Sequence, residues 1–282
     1  MLKQRIITAV LIVVALLASL AFLPLMGLSV LFALIVLLAA WEWSDLSGLS
    51  SRVSRFSYVV VCGALMLAAA WQASLFSDVN KEEVKNIVSA GSVWWAIALL
   101  WVKSYPQSAS LWGSQWMRAF MGLMVLVPAW LALCYMRSLD GGVWLILAVV
   151  GLVASADIGA YFVGRAFGKA KLAPAVSPGK SWAGFWGGVA CSTALSALLW
   201  FVLARLAPAA IPTGLLPLLC LVTITVLASV LGDLLESMVK RHRGIKDSGQ
   251  LLPGHGGIMD RVDSITAAAP VFALGLIATG WV

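Results

Sequence analysis

Apolar runs of roughly 17–25 residues, the length a helix needs to cross the hydrocarbon of a bilayer, follow one another along the chain and are separated by short polar joints. The pattern predicts nine transmembrane helices, over residues 6–23, 25–43, 56–76, 87–103, 119–137, 143–164, 183–206, 214–235 and 264–282. No joint is long enough for a soluble domain, and no segment repeats. The fold class that follows is all-α, a polytopic integral membrane protein forming a single membrane domain over 1–282. Residues 1–140 read as scaffold helices with room for dimer contacts, and residues 141–282 as the part that carries the chemistry. The charged stretch Asp78–Lys85 reads as a solvated loop.

Composition sharpens this class. The chain is 62% hydrophobic and 11% charged, against about 25% charged residues in a soluble domain. Its net charge of +7 does not point to nucleic acid, because the basic residues are scattered over short loops beside apolar runs. Such residues set orientation in the membrane. With nine spans and the N-terminus in the cytoplasm, 15 of the 19 Lys and Arg residues fall on the cytoplasmic side. The first run is too long for the apolar region of a secretory signal and lacks a small-x-small cleavage site. It reads as a retained helix. Cys62, Cys134, Cys191 and Cys220 lie inside apolar runs without CxxC spacing, which reads as buried small hydrophobes rather than disulfides or metal ligands.

Against so apolar a chain, the 27 residues from Ser237 to Asp263 are unusual: they hold five basic residues, three aspartates and two histidines. The loops 165–182 and 236–263 are separated by two spans, so they emerge on one face, predicted to be cytoplasmic. A substrate shared between them comes from the cytosol or the inner leaflet.

Ionisable groups within spans are costly and mark function unless they are paired. Asp157 in the sixth span, and Asp233 and Glu236 in the eighth, stand open to both readings, with Glu236 the closer to water. Glu42, in Trp41-Glu42-Trp43, reads as an interfacial acid that snorkels rather than a site residue. Asp260 and Asp263 open the ninth span, where carboxylates suit a helix N-terminus. They also suit Mg²⁺, which takes oxygen ligands and needs only one or two carboxylates beside substrate phosphate. Zinc would call for His and Cys clusters that this chain lacks.

Gly254, Gly256 and Gly257 around His255 form a turn leading into that helix. Its backbone N–H groups can cradle a phosphate, with Lys240, Arg241, Lys246 and Arg261 nearby. His255 reads equally as a proton donor or base and as a structural residue. In the other loop, Ser177-Pro178-Gly179-Lys180-Ser181 lacks the spacing of a Walker A motif. Lys180 and the two serines read either as a grip for a triphosphate or as a positive loop with a helix cap.

These residues resemble those of the CTP:phosphatidate cytidylyltransferases (CDP-diacylglycerol synthases). The resemblance rests on Ser237, Lys240-Arg241, Lys246-Asp247, Gly249, Leu252-Pro253, His255-Gly256-Gly257, Asp260-Arg261 and Asp263. Asp157-Ile158-Gly159-Ala160-Tyr161, Gly164-Arg165, Gly168-Lys169 and Ser177–Trp182 look like a second region of that family. Ala183 departs from it, since family members often carry Glu or Gln there. The first 140 residues match only in hydrophobic character.

The resemblance implies Mg²⁺-dependent transfer of a cytidylyl group from CTP to phosphatidic acid, giving CDP-diacylglycerol and pyrophosphate. It implies an inner-membrane protein, a site facing the cytoplasm, and a homodimer. By position, Asp260, Asp233, Lys240 and Arg261 resemble the catalytic set, and Asp260 and Asp233, with Asp263 and Asp157, the metal-site carboxylates. Ser177, Lys180, Ser181, Arg241, Lys246, His255, Gly256 and Gly257 resemble substrate contacts. An ion-coupled transporter is the alternative, but it gives the lysines and glycines of the motif no task. A CDP-alcohol phosphotransferase would show a D-G-x-x-A-R pattern, which is missing.

Overall fold

The computed structural model describes residues 2–206, 214–252 and 256–281. The helices are α1 (Leu2–Phe22), α2 (Leu25–Leu46), α3 (Arg52–Gln72), α4 (Lys81–Lys103), the short α5 (Ala109–Trp112), α6 (Gln115–Ser138), α7 (Gly142–Phe167), α8 (Trp182–Leu206), α9 (Leu215–Arg243) and α10 (Met259–Ala278). Eight of them, α2, α3, α4 and α6–α10, are long and apolar enough to cross a membrane. The chain is an all-α polytopic membrane protein, as its hydropathy predicts.

Helix ends differ from the hydropathy boundaries where polar residues continue a helix. Asn80 accepts from Glu83 N at 3.3 Å and starts α4, so most of the predicted Asp78–Lys85 loop is the first turn of that helix. Glu82 and Glu83 there complement the helix dipole. At the other end of the polarity scale, α9 runs on to Arg243 and ends at Gly244, whose φ of +73° provides a left-handed cap. The first seven residues of the Ser237–Asp263 motif are therefore helical. The loop before α8 holds a two-stranded antiparallel hairpin, β1 (Lys171–Ala173) and β2 (Ser177–Ser181). Nothing in the sequence reading anticipated it.

Helix α6 is the hub, packing on α2, α3, α4, α7 and α10. Trp43 Nε1 donates to Arg118 O at 2.8 Å, and Arg118 Nη1 donates to Leu46 O at 2.8 Å. The cytoplasm-predicted end of α2 is thereby bolted to α6. Outward faces carry large apolar side chains such as Leu198, Phe201 and Leu203, as lipid contact allows. Cys62 and Cys134 are buried as read from the sequence, but Cys191 and Cys220 are exposed on such faces.

The polar end of the bundle depends on close helix approaches. In lipid, where apolar burial does little to drive helices together, small residues let backbones meet. A Cβ on Gly188 of α8 would lie 2.6 Å from Ala156 O of α7, and one on Gly184 would lie 2.8 Å from Ala160 O. Gly232 of α9 lies under Asp263 of α10 so closely that a Cβ would overlap its carbonyl oxygen. These contacts carry Asp157, Asp233 and Asp263 to one end of the bundle.

Candidate active site

Two ion-pair systems lie along α9, one where it meets the hairpin and one where it meets α10. In the first, Lys180 of β2 places Nζ 2.6 Å from Asp233 Oδ2, while Ser237 Oγ, one turn along α9, donates to Asp233 Oδ1 at 3.2 Å. In the second, Lys240 Nζ lies 2.6 Å from both Glu236 Oε2 and Asp260 Oδ1. Glu236 is 1% exposed, correcting the reading that placed it near water. Its Oε1 is buried without a hydrogen-bond partner. The spacing of Asp233, Glu236, Ser237 and Lys240 puts all four on one side of α9.

The hairpin is tied to α9 by Arg241, whose Nε donates to Val176 O at 3.2 Å. The loops 165–182 and 236–263 therefore touch, as their predicted common face requires. Ser181 is buried and its Oγ accepts from Gly184 N at 3.1 Å. It starts α8 as an N-cap, which is the helix-cap reading of that serine. Ser177 is half-buried on β2, and Lys246 and Arg261 are exposed.

Beside Lys180 a cavity of about 410 Å³ opens between α7, α8 and the hairpin. Asp157, Tyr161, Arg165, Lys180, Ser181 and Phe185 line it. It has a cationic mouth and apolar walls, and Arg165 Nη1 donates to Tyr161 Oη at 3.3 Å along its rim.

The turn into α10 is organised by carboxylates. Asp260 accepts from Ser248 N at 3.0 Å and from Gly257 N at 2.8 Å, both through Oδ2. Glu42 of α2 is 2% exposed, correcting the snorkelling reading. It accepts from Ser248 Oγ at 3.1 Å, Ile258 N at 3.1 Å and Met259 N at 2.8 Å. The Gly257 N–H, part of the turn expected to cradle a phosphate, and the N–H groups of Ile258 and Met259 that follow it are thus already bonded to protein carboxylates. Gly256, with φ of +84°, makes the turn geometrically feasible. His255 lies outside the described residues.

Among the described residues no three carboxylate, His or Cys side chains converge in a ready metal cage. The donor chemistry still fits Mg²⁺, which uses few carboxylates together with phosphate oxygens. Asp263 acts electrostatically on Glu236, and Asp233 acts on both Asp263 and Asp157. The orphaned Glu236 oxygen adds a further oxygen donor. Asp260 is the least available of the predicted ligands, since Lys240 and two backbone N–H groups already engage it.

A helical membrane protein that gathers lysines, arginines and carboxylates beside an apolar-walled cavity at one end of its bundle is built for phosphate chemistry at a bilayer. Comparison with known proteins narrows the class. A model of the cytidylyltransferase family matches residues 3–278. The chain is 43% identical to a phosphatidate cytidylyltransferase of Pseudomonas aeruginosa, over 100% of its own length and 99% of the relative's. It is 39% identical to one of Haemophilus influenzae, covering 97% and 98% of the two chains, and 32% identical to one of Bacillus subtilis, covering 95% of each. The chain belongs to the cytidylyltransferase family and is a membrane nucleotidyltransferase. The match runs through the N-terminal half, which the sequence reading had left with hydrophobic character alone.

Proposed function

We propose that this enzyme transfers the cytidylyl group of CTP to phosphatidic acid, forming CDP-diacylglycerol and pyrophosphate. One observation carries the reading. Lys180, 2.6 Å from Asp233, lines a cavity with apolar walls and a cationic mouth, and Lys240, 2.6 Å from Asp260, lies on the same side of α9 as Asp233. The site thus offers cations for a nucleotide's phosphates next to a berth for a lipid phosphate. The ion-coupled carrier alternative finds no support in the family to which the chain belongs.

The reaction needs no Ser or Cys nucleophile from the protein. A phosphatidate phosphate oxygen attacks the α-phosphorus of CTP, and the bond from that phosphorus to the β-bridging oxygen breaks in line. Pyrophosphate leaves with the electron pair. The protein's work is alignment and charge neutralisation, which account for most of the rate enhancement in such transfers. Lys180, with Ser177 beside it on β2, meets the triphosphate. Arg165 and Tyr161 at the cavity rim meet the phosphatidate head. Lys240 neutralises charge developing near Asp260, and the exposed Lys246 and Arg261 draw anions to the mouth. Asp233 and Asp263, with Asp157 beside them, would hold Mg²⁺. When bound, that ion supplies charge neutralisation for the phosphates.

The proposal includes an inner-membrane location, nine spans, a cytoplasmic N-terminus and a site open to the cytosol, in keeping with the positive-inside count. Assembly as a homodimer belongs to it as well. The test is incubation of the purified protein with labelled CTP, phosphatidic acid and Mg²⁺. Labelled CDP-diacylglycerol, formed only with both substrates, is the expected product. Failure to form it from a folded, micelle-inserted protein rejects the reading.

A further inference from the structure

We infer that Glu42, far from the motif in sequence, is a positioning residue for this reaction: its buried carboxylate caps α10 from another helix and fixes Asp260 through Ser248. This rests on cytidylyl transfer as the reaction.

The local structure calls for such a group. The N-cap residue of α10, Ile258, makes no side-chain cap, and the first N–H groups of any helix need acceptors. Glu42 supplies them, Oε1 to Ile258 N and Oε2 to Met259 N. Burying a carboxylate is costly without compensating bonds. Here three donors and the positive end of a helix provide them.

The connection to the reacting end is short. Glu42 Oε2 also takes the Ser248 hydroxyl. Ser248 and Asp260 are bonded in both directions, Ser248 N to Asp260 Oδ2 at 3.0 Å and Asp260 N to Ser248 Oγ at 3.3 Å. Asp260 in turn holds Lys240. The foundation is rigid, because Trp43, the next residue after Glu42, is hydrogen-bonded to the α6 backbone. The chain of contacts thus runs from the α2–α6 joint to the ammonium group of Lys240.

Two glycines of the motif are shaped to this carboxylate. The three atoms nearest to a Cβ on Gly249 would all belong to the Glu42 side chain, which it would overlap, whereas one on Gly257 would overlap both Glu42 and Ser248. The small size of Gly249 thus leaves room for Glu42.

The experiment uses the full-length enzyme in micelles, comparing Glu42→Ala, Glu42→Gln, Gly249→Ala and the double variant Glu42→Ala/Gly249→Ala. Each is read for kcat per folded molecule, for KM of CTP, and for hydrogen exchange at residues 245–262. Glu42→Ala should lower kcat by about 30-fold or more while KM for CTP stays within about 3-fold, because a positioning group acts on alignment rather than on substrate binding. Exchange at Ile258 and Met259 should rise by about 10-fold or more with α6 unchanged. Glu42→Gln keeps one acceptor oxygen and should fall between wild type and Glu42→Ala in both readouts. Gly249→Ala should lower kcat in the wild-type background and change nothing further in the Glu42→Ala background. Unchanged exchange at Ile258 and Met259 in both Glu42 variants overturns the inference. So does a Gly249→Ala effect of equal size in the two backgrounds, or a kcat per folded molecule that stays at the wild-type value in Glu42→Ala. An inactive wild type strikes the cytidylyl reading instead, and the exchange data still decide the role of Glu42 as a clamp.

Discussion

Lys180 on the hairpin and Asp233 on α9 form an ion pair of 2.6 Å, with side chains 27% and 30% exposed. The residue read as a triphosphate grip and the residue read as a metal ligand are therefore partners of one another. If CTP takes Lys180, it releases Asp233 for a cation, and the converse holds. Binding of the two is then coupled, and such coupling is reciprocal. Lys180→Ala should raise KM for CTP by about 30-fold, of the order expected when one charged contact to phosphate is lost. It should also weaken the dependence of CTP affinity on Mg²⁺ concentration. Titrating Mg²⁺ at several CTP concentrations checks both; an unaltered KM removes Lys180 from the nucleotide site.

Asp260 gives a second prediction. Its carboxylate is bonded to Lys240 and to the N–H groups of Ser248 and Gly257. Asp260→Asn keeps the shape but turns one oxygen into a donor facing other donors, and it leaves Lys240 with Glu236 alone. We expect kcat to fall by about 100-fold or more, with the protein still folded and inserted. Size-exclusion chromatography and activity on the same sample measure this. Activity within a few-fold of wild type would show that neither charge nor turn depends on Asp260.

A third prediction concerns packing. Gly188→Leu forces a side chain into the α7–α8 contact, where even a Cβ would lie 2.6 Å from Ala156 O. Overpacking of this kind costs about 1–3 kcal/mol. The melting temperature in detergent should drop, and activity at low temperature should fall with it, because the cavity lined by Asp157 and Lys180 lies along the same seam. Gly214→Ala is the contrast. Among the described residues the nearest neighbour to an added Cβ there is Pro217 Cδ at 3.7 Å, and the substitution should leave the melting temperature unchanged.

The transmembrane spans were legible because the bilayer itself fixes the length of an apolar run. Lys180, Asp233, Lys240 and Asp260, which the structure joins in ion pairs, were legible as candidates because charge is rare in this chain, so each occurrence stands out. Glu42 was not. Its donors lie 206, 216 and 217 positions away, and two of them are backbone N–H groups, which leave no mark on a sequence. In Trp41-Glu42-Trp43 a snorkelling acid and a buried clamp look the same. The hairpin was hidden for a different reason, since strands of three and five residues carry too little alternation to register. Ser181 shows the limit within a motif: one hydroxyl serves equally well as a phosphate ligand or a helix cap, and only the Gly184 N–H at 3.1 Å shows which bond it makes.

Topology supplies the last prediction. Arg241 Nε bonded to Val176 O at 3.2 Å requires the hairpin and the end of α9 to share one side of the membrane. The proposed function puts that face in the cytoplasm, in keeping with the excess of Lys and Arg on it. Single cysteines at Ala170 and Asp247, both exposed, in a chain with Cys191 and Cys220 replaced, should react with an impermeant thiol reagent in inverted inner-membrane vesicles. Neither should react in right-side-out vesicles. Labelling of both in right-side-out vesicles would reverse the orientation and leave the site intact. Labelling of one in each preparation would separate the two loops and dismantle the site, because Lys180 and Asp233 could not then meet.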